Sequence, residues 1–148
     1  MQVSKWLGHS TFTLTLDVYG DYIPEHLMTR EFLEEVRSLL TAGGVLAANT
    51  FSISALYDHE SVTYAAVYGT FFNLNPDQSG NRVVLASTGA LPDQAVLAAR
   101  ARELAPKVEP YGVDIDDLLK MIDTKVDWNT TVRVLTDQYA PANLLQRR

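Results

Sequence analysis

Two aspartates near the start of the 148-residue chain have the type and position needed to act on a bound ligand. Asp17 lies near the end of residues 12–18, where apolar residues alternate with polar ones and threonine is frequent. This period of two predicts a β-strand. Open α/β sheets bind ligands at the carboxyl ends of their strands, where Asp17 would then stand, with Asp21 close behind it. The alternative, which the local sequence favours, is a solvated turn in which Asp21 caps the following helix.

A second candidate pair, Asp137 and Tyr139, occurs in the sequence TDQYAP near the C-terminus. The structural alternative is that Asp137 caps a turn and Tyr139 packs against the sheet. His26 and His59 have no second potential ligand three or four residues further on, so surface or helix-start roles are favoured over metal binding. No metal site is predicted.

Residues 23–52 are expected to position the candidate residues, because this segment contains a predicted helix, a turn and a strand in succession. Pro24 suits a helix start, and apolar residues then recur at three-and-four spacing as far as residue 40. A glycine pair at 43–44 ends this amphipathic helix. The apolar run Val45–Phe51 shows no alternation, which predicts a strand buried on both faces. A helix that feeds such a strand predicts a largely parallel sheet with helices packed on it.

The sequence after this unit predicts a further helix and a hairpin. Residues 56–70 suit a helix that stops at Gly69. Residues 71–74 and 82–87 are rich in β-forming side chains, and the loop between them contains many turn-forming residues. The two segments therefore predict an antiparallel hairpin.

Composition limits the classes of partner. Twelve Lys and Arg against eighteen Asp and Glu give a net charge of −6, which would attract a cationic polyamine more readily than DNA. The chain has no cysteine, which excludes disulfides and fits a reducing cytoplasm. No apolar run approaches the roughly twenty residues that a membrane helix needs, and no signal-peptide core is found. We therefore expect a soluble, cytoplasmic domain.

Several longer segments of the sequence, from about residue 20 to the end, resemble the C-terminal half of the spermidine synthase family of polyamine aminopropyltransferases. They are GDYIPEHLMTREFLEEVRSLL, GGVLAANTFS, LYDHESVTYAAVYGTFFNL, NRVVLAS and RVLTDQYAPANLL. The resemblance implies an α/β fold with a truncated Rossmann-like mixed sheet of the class I methyltransferase type. Helices would pack on this sheet, and an antiparallel hairpin would close its C-terminal side.

The resemblance also implies an activity, which is aminopropyl transfer from decarboxylated S-adenosylmethionine to a polyamine acceptor. In this family an aspartate at the position of Asp17 helps to remove a proton from the attacking amine. Asp21 would anchor the cationic substrate, and Asp137 and Tyr139 fall in a family signature that could also contact it.

The cofactor-binding elements of such an enzyme are not found in this sequence. They are a glycine-rich turn after the first strand and an acidic residue after the second, and the eight glycines show no such spacing. We therefore expect an incomplete fragment that is inactive on its own. Decarboxylated S-adenosylmethionine would be a co-substrate only if the missing half is supplied. An exposed sheet edge would favour association, for example as a homo-oligomer.

Residues 1–25, MQVSKWLGHSTFTLTLDVYGDYIPE, also resemble the C-terminal tip of phage-type tyrosine recombinases. This resemblance implies that Tyr19 attacks a DNA phosphodiester and that His9 belongs to the motif that stabilises the phosphate. The arginines, lysine and further histidine that this chemistry needs would come from upstream sequence. We accordingly divide the chain into a recombinase-like tip, residues 1–22, and a synthase-like part, residues 23–148. A non-catalytic association domain is the third hypothesis.

Overall fold

Helices and short strands alternate along the part of the chain that the computed structural model describes, residues 28–75 and 80–139. In chain order the elements are α1 (Arg30–Leu39), β1 (Val45–Phe51), α2 (Tyr57–Tyr68), β2 (Phe72–Leu74), β3 (Asn81–Ser87), α3 (Gln94–Val108), a 3₁₀ turn (Glu109–Tyr111), α4 (Ile115–Met121) and β4 (Ile122–Asp123). The chain is thus a mixed α/β protein. None of these helices is long and apolar enough to cross a membrane.

The first helix of the described residues starts later than the sequence pattern predicts. Thr29 has extended backbone angles, and its side-chain oxygen accepts a hydrogen bond from the amide of Phe32 at 3.3 Å. This is the geometry of an N-cap, so α1 begins at Arg30 rather than near Pro24.

The four strands of the described part form one sheet in the order β1-β3-β2-β4, and every pairing in it is antiparallel. The predicted hairpin is confirmed, because β2 pairs with β3. The prediction of a largely parallel sheet is wrong for these residues. After α2 the chain enters β2 two positions away from β1 in the sheet, and β3 returns between them, pairing Val45 with Ser87 and Phe51 with Asn81. A returning hairpin strand inserted in this way runs antiparallel to both of its neighbours.

The core lies between the sheet and the first two helices. Leu33 of α1, Tyr64 and Val67 of α2, and Val84 and Ala86 of β3 are all at most 5% exposed and form one hydrophobic cluster. Leu46 and Ala48 of β1 pack against this cluster, and α2 ends at Gly69, which has a φ of 75°. Glycine adopts this backbone conformation readily, which explains why the predicted stop is confirmed.

The strand β1 is covered on one face only. Its residues alternate between exposed and covered positions, and Val45 and Phe51 remain 59% and 50% exposed. The prediction that Val45–Phe51 is buried on both faces is therefore wrong for the described structure. The apolar run does form a strand, but α1 and α2 cover only the side that carries Leu46 and Ala48.

Candidate functional site

The structure places two of the six predicted site residues. Asp17, Asp21, Tyr19 and His9 lie outside the described residues. The strand predicted over residues 12–18 and the boundary at residue 22 lie there too. Asp137 and Tyr139 are described, and they belong to a tight turn near the end of the described chain.

This turn is closed by two backbone hydrogen bonds and is attached to the start of α1. The amide of Thr136 donates to the carbonyl of Tyr139 at 3.0 Å, and the amide of Tyr139 donates back at 2.8 Å. The hydroxyl of Thr29 donates to Asp137 Oδ1 at 2.7 Å. The amide of Asp137 donates to Glu31 Oε2 at 3.1 Å. Asp137 thus holds the turn against the N-terminus of α1, where its negative charge meets the positive end of the helix dipole.

The ring of Tyr139 contacts Arg133, which precedes the turn, and lies near His59 of α2. The Arg133 guanidinium lies over its ring at 4.2 Å from the centroid, a distance typical of a cation–π contact. The His59 ring lies 6.2 Å away, and His59 Nδ1 is 2.7 Å from the backbone carbonyl of Arg133. His59 therefore serves to hold the C-terminal segment on α2, in agreement with the structural role that its isolation in the sequence favours.

The turn therefore brings Asp137 and Tyr139 to one place on the surface. The side chain of Asp137 is exposed although one of its oxygens is held by Thr29. A fixed, accessible carboxylate can attract an organic cation, whereas the Tyr139 ring is already in contact with the Arg133 guanidinium. This is the chemistry that the sequence suggests for the pair, and it is compatible with the structural role that the same residues have.

A buried polar cluster between α2 and the sheet was not predicted from the sequence. Arg82 and Asn73 are at most 1% exposed, and Arg82 Nε donates to Asn73 Oδ1 at 2.9 Å. Arg82 Nη1 donates to Ser61 Oγ, also at 2.9 Å, and the guanidinium lies 4.4 Å from the centroid of the Tyr57 ring. Glu60, at 3% exposed, completes the cluster. We call Glu60, Ser61, Asn73 and Arg82 the buried polar cluster.

Electrostatics in this cluster are dominated by burial. Burial raises the pKa of Glu60 to about 7, although the charge of Arg82 acts in the opposite direction. Burial also lowers the pKa of the Arg82 guanidinium, against the effects of Tyr57 and Glu60. In the described structure Glu60 Oε2 and Arg82 Nη2 have no hydrogen-bond partner. The cluster lies towards the carboxyl end of β1, because Arg82 pairs with Thr50 in the sheet register.

The sequence alone gives no clear signal for this cluster. Strand β3 buries alternate residues, so Arg82 shares the inward face with Val84 and Ala86, all of them fully buried. This alternation is one of burial and not of sequence, because residues 83–86 are all apolar, so either face of the strand could have been the inward one. An inward arginine requires buried acceptors, and Ser61 of α2 and Asn73 of β2 supply them.

An open cavity of about 500 Å³ lies at the opposite end of the sheet, beside the start of β2 and the loop that follows β3. Tyr68, Phe72, Leu91 and Asp93 are among the residues that line it. Asp93 is used there as the N-cap of α3, since its Oδ1 accepts from the amide of Val96 at 2.9 Å. The cavity contains none of the predicted site residues. No group of three or more histidines and carboxylates in the described part of the chain could hold a metal ion.

Comparison with known proteins gives one informative similarity. The chain is 50% identical over 135 residues to the polyamine aminopropyltransferase of Vibrio vulnificus strain CMCP6. The matching stretch is 90% of this chain and 45% of that protein, so the chain spans less than half of the relative's length. No family model and no solved structure matches the chain. The similarity supports the resemblance to the spermidine synthase family, whereas none of the comparisons supports the resemblance to recombinases.

The extent of the match bears on the predicted N-terminal residues. A stretch that covers 90% of 148 residues begins no later than about residue 16 and ends no earlier than about residue 133. Asp17, Tyr19 and Asp21 therefore fall within the stretch that is similar to the aminopropyltransferase. This favours the synthase interpretation of these positions over the interpretation of Tyr19 as a recombinase nucleophile.

Proposed function

We propose that this chain is the C-terminal half of a spermidine synthase-like domain. It would take part in the transfer of an aminopropyl group from decarboxylated S-adenosylmethionine to a polyamine acceptor. The observation that carries the proposal is the 50% identity over 135 residues to a polyamine aminopropyltransferase. Because the chain spans 45% of that relative, we propose that it needs the cofactor-binding part of such an enzyme for activity.

The sheet supports this proposal through the position that it leaves for Asp17. Among the described residues only β3 pairs with β1, so one edge of β1 has no described strand beside it. A strand over residues 12–18 placed parallel to β1 at that edge would complete a mixed sheet of the methyltransferase type. Asp17 would then lie at the carboxyl end, where such sheets bind ligands.

The chemistry requires an uncharged amine nitrogen as the nucleophile. In the proposed reaction this nitrogen forms a bond to the aminopropyl carbon as the bond from that carbon to sulfur breaks, and the electron pair remains on sulfur. Asp17 would accept the proton that the amine loses. Asp21, with Asp137 and Tyr139, would bind the remaining ammonium group of the acceptor, since carboxylates and aromatic faces both attract cations.

A covalent chimera tests the proposal. The aligned residues of the Vibrio vulnificus enzyme are replaced by the corresponding residues of this chain, and transfer to putrescine and to spermidine is measured by product chromatography. We expect transfer by the chimera and a loss of at least about 100-fold with Asp17→Asn, the scale of general-base catalysis. Asp116→Asn, a change at an exposed aspartate of α4, is the matched control and should leave the rate unchanged.

Two results would contradict the proposal. One is a folded chimera without transfer to either amine. The other is a covalent adduct between Tyr19 and a nicked DNA substrate, which would assign the N-terminal residues to DNA cleavage instead.

A further inference from the structure

Several side-chain atoms in and beside the buried polar cluster form no hydrogen bond with any described residue. Those that belong to residues at most 6% exposed are Glu60 Oε2, Arg82 Nη2, Asn73 Nδ2 and Thr50 Oγ1. Bulk solvent does not reach these atoms, and native proteins rarely leave a buried polar atom without a hydrogen bond. Their concentration in one region indicates a bound molecule that is not part of the polypeptide.

These atoms belong to residues that face one another between α2 and the sheet. Thr50 and Arg82 are directly opposite each other in β1 and β3, so their side chains lie on the same face of the sheet. Glu60 is next to Ser61 on α2, and the Ser61 hydroxyl accepts from Arg82. After burial, the charge of Arg82 and the Thr50 hydroxyl have the largest effects on the pKa of Glu60, and both lower it. Glu60 is therefore close to both residues, yet no ion pair or hydrogen bond joins it to either among the described residues.

The guanidinium of Arg82 is fixed in a position from which it does not reach Glu60. Its Nε and Nη1 donate to Asn73 Oδ1 and Ser61 Oγ, both at 2.9 Å, and the centroid of the Tyr57 ring lies 4.4 Å from it. A rotation towards Glu60 would break both hydrogen bonds. Arginine only donates, so Asn73 turns its oxygen to Arg82 and its Nδ2 stays unpaired. A direct ion pair therefore does not satisfy these atoms.

The types of the unpaired atoms determine which ligand fits between them. An anion would bind Arg82 and Asn73 but would be repelled by the ionised carboxylate of Glu60, and a cation would be repelled by Arg82. Water is uncharged and both donates and accepts hydrogen bonds. A buried water typically forms about three of them, with groups that would otherwise be unpaired. Water is therefore the ligand that matches an acceptor, two donors and a hydroxyl in one place.

We infer that the space between Glu60, Arg82 and Thr50 is a binding site for an internal water molecule. The water accepts a hydrogen bond from Arg82 Nη2 and donates to Glu60 Oε2 and to Thr50 Oγ1. It thereby joins α2 to β1 and β3, at a place where the side chains themselves do not meet. The inference does not depend on the proposed function.

Magnetic relaxation dispersion of ¹⁷O-labelled water tests the inference on the full chain, because it counts the waters that stay bound for longer than the protein takes to tumble. Glu60→Gln keeps an acceptor at the same place and should leave the amplitude unchanged. Glu60→Met has a side chain of similar length without an acceptor, and it should lose the contribution of about one water. Glu35→Met is the matched control, since Glu35 lies exposed on α1, and it should equal the wild type.

A second measurement uses the wild type alone and covers the case in which Glu60→Met does not fold. Rotating-frame Overhauser transfer from water to the isotope-labelled chain detects protons next to a bound water. Direct transfer and chemical exchange have opposite signs in this experiment, so the two are separated. We expect direct transfer to the guanidinium protons of Arg82. Val84, which is 0% exposed on the same face of β3, is the internal control and should receive none.

Three outcomes would overturn the inference. The first is an equal dispersion amplitude in the wild type and in a folded Glu60→Met variant. The second is the absence of direct transfer from water to the Arg82 guanidinium. The third is a saturable shift of the Arg82 Nε resonance with sodium bromide, which would assign the site to an anion instead. None of these outcomes affects the proposed aminopropyl transfer, which the chimera tests separately.

Discussion

Glu60 gives the sharpest prediction about the stability of the chain, because the residue is 3% exposed and burial raises the pKa of its carboxyl group from 4.5 to about 7. The folded state therefore holds this proton more tightly than the unfolded state, and stability falls as the pH rises from about 4.5 through about 7. Below this window both states are protonated and the cost vanishes. Each pKa unit corresponds to about 1.4 kcal/mol, so the full cost above the window is about 3 kcal/mol.

Glu60→Gln removes the titration and keeps the shape of the side chain. Glutamine also removes the Glu60 carboxylate from beside Arg82 and leaves only that of Asp127, but this loss affects the absolute stability and is independent of pH over this range. The informative quantity is therefore the change in unfolding free energy between about pH 5 and about pH 8. It should be less negative in the variant by about 2 to 3 kcal/mol.

Urea unfolding followed by far-ultraviolet circular dichroism measures this quantity. Glu35→Gln is the matched control, since Glu35 lies exposed on α1. The control should keep the pH dependence of the wild type within about 0.5 kcal/mol. An identical pH dependence in the wild type and in Glu60→Gln would refute the burial argument, because it would mean that the carboxyl group titrates alike in the folded and unfolded chains.

The other predictions concern three local features, each measured by urea unfolding. Thr29→Ala removes the cap of α1 and the hydrogen bond to Asp137, so it should lower the unfolding free energy by about 1–2 kcal/mol. Thr29→Ser keeps the hydroxyl and should retain most of the stability of the wild type. Equal losses in both variants would show that the hydroxyl is not the cause. Gly69→Ala should cost about 1 kcal/mol through the φ of 75° alone, because nothing lies within 4 Å of the added methyl group; an unchanged stability would contradict the positive φ. Asp114→Ala should cost about 1 kcal/mol, because Asp114 Oδ1 accepts from the amides of Asp116 and Asp117 at 3.0 and 3.1 Å, and Asp114→Asn should recover most of the loss.

Local sequence predicts which segments form helices and strands. It does so well where one residue or a clear hydrophobic period determines the structure. The stop at Gly69 and the hairpin of β2 and β3 follow from turn chemistry and β-forming residues, and both are confirmed. The direction of the sheet was predicted wrongly, because strand pairing depends on the path of the chain between strands. The apolar run of β1 contains no information on whether β2 or β3 will lie beside it.

The candidate site, too, was only partly predictable from the sequence. Asp137 and Tyr139 were identified through the resemblance, and the structure brings them into one turn at the start of α1. Thr29, which binds Asp137, is more than a hundred residues away along the chain, whereas Arg133, which contacts Tyr139, is only a few residues away. Spacing in the sequence could therefore identify only Arg133. The buried polar cluster was missed because a glutamate on a helix is expected at the surface unless a buried partner such as Arg82 is known.

Disagreement between local sequence and local structure is most informative at β1. A seven-residue apolar strand that leaves Val45 and Phe51 about half exposed is costly for an isolated domain, since each apolar side chain left in water forgoes about 1–2 kcal/mol of burial. The buried polar cluster on its other face adds the cost of ionising Glu60. Phe51 and the buried polar cluster lie near the carboxyl end of β1, where the proposed reaction needs a ligand-binding surface, whereas Val45 lies at the amino end of the strand. Removal of Val45 and Phe51 from water would recover part of the burial energy that the exposed face of β1 forgoes.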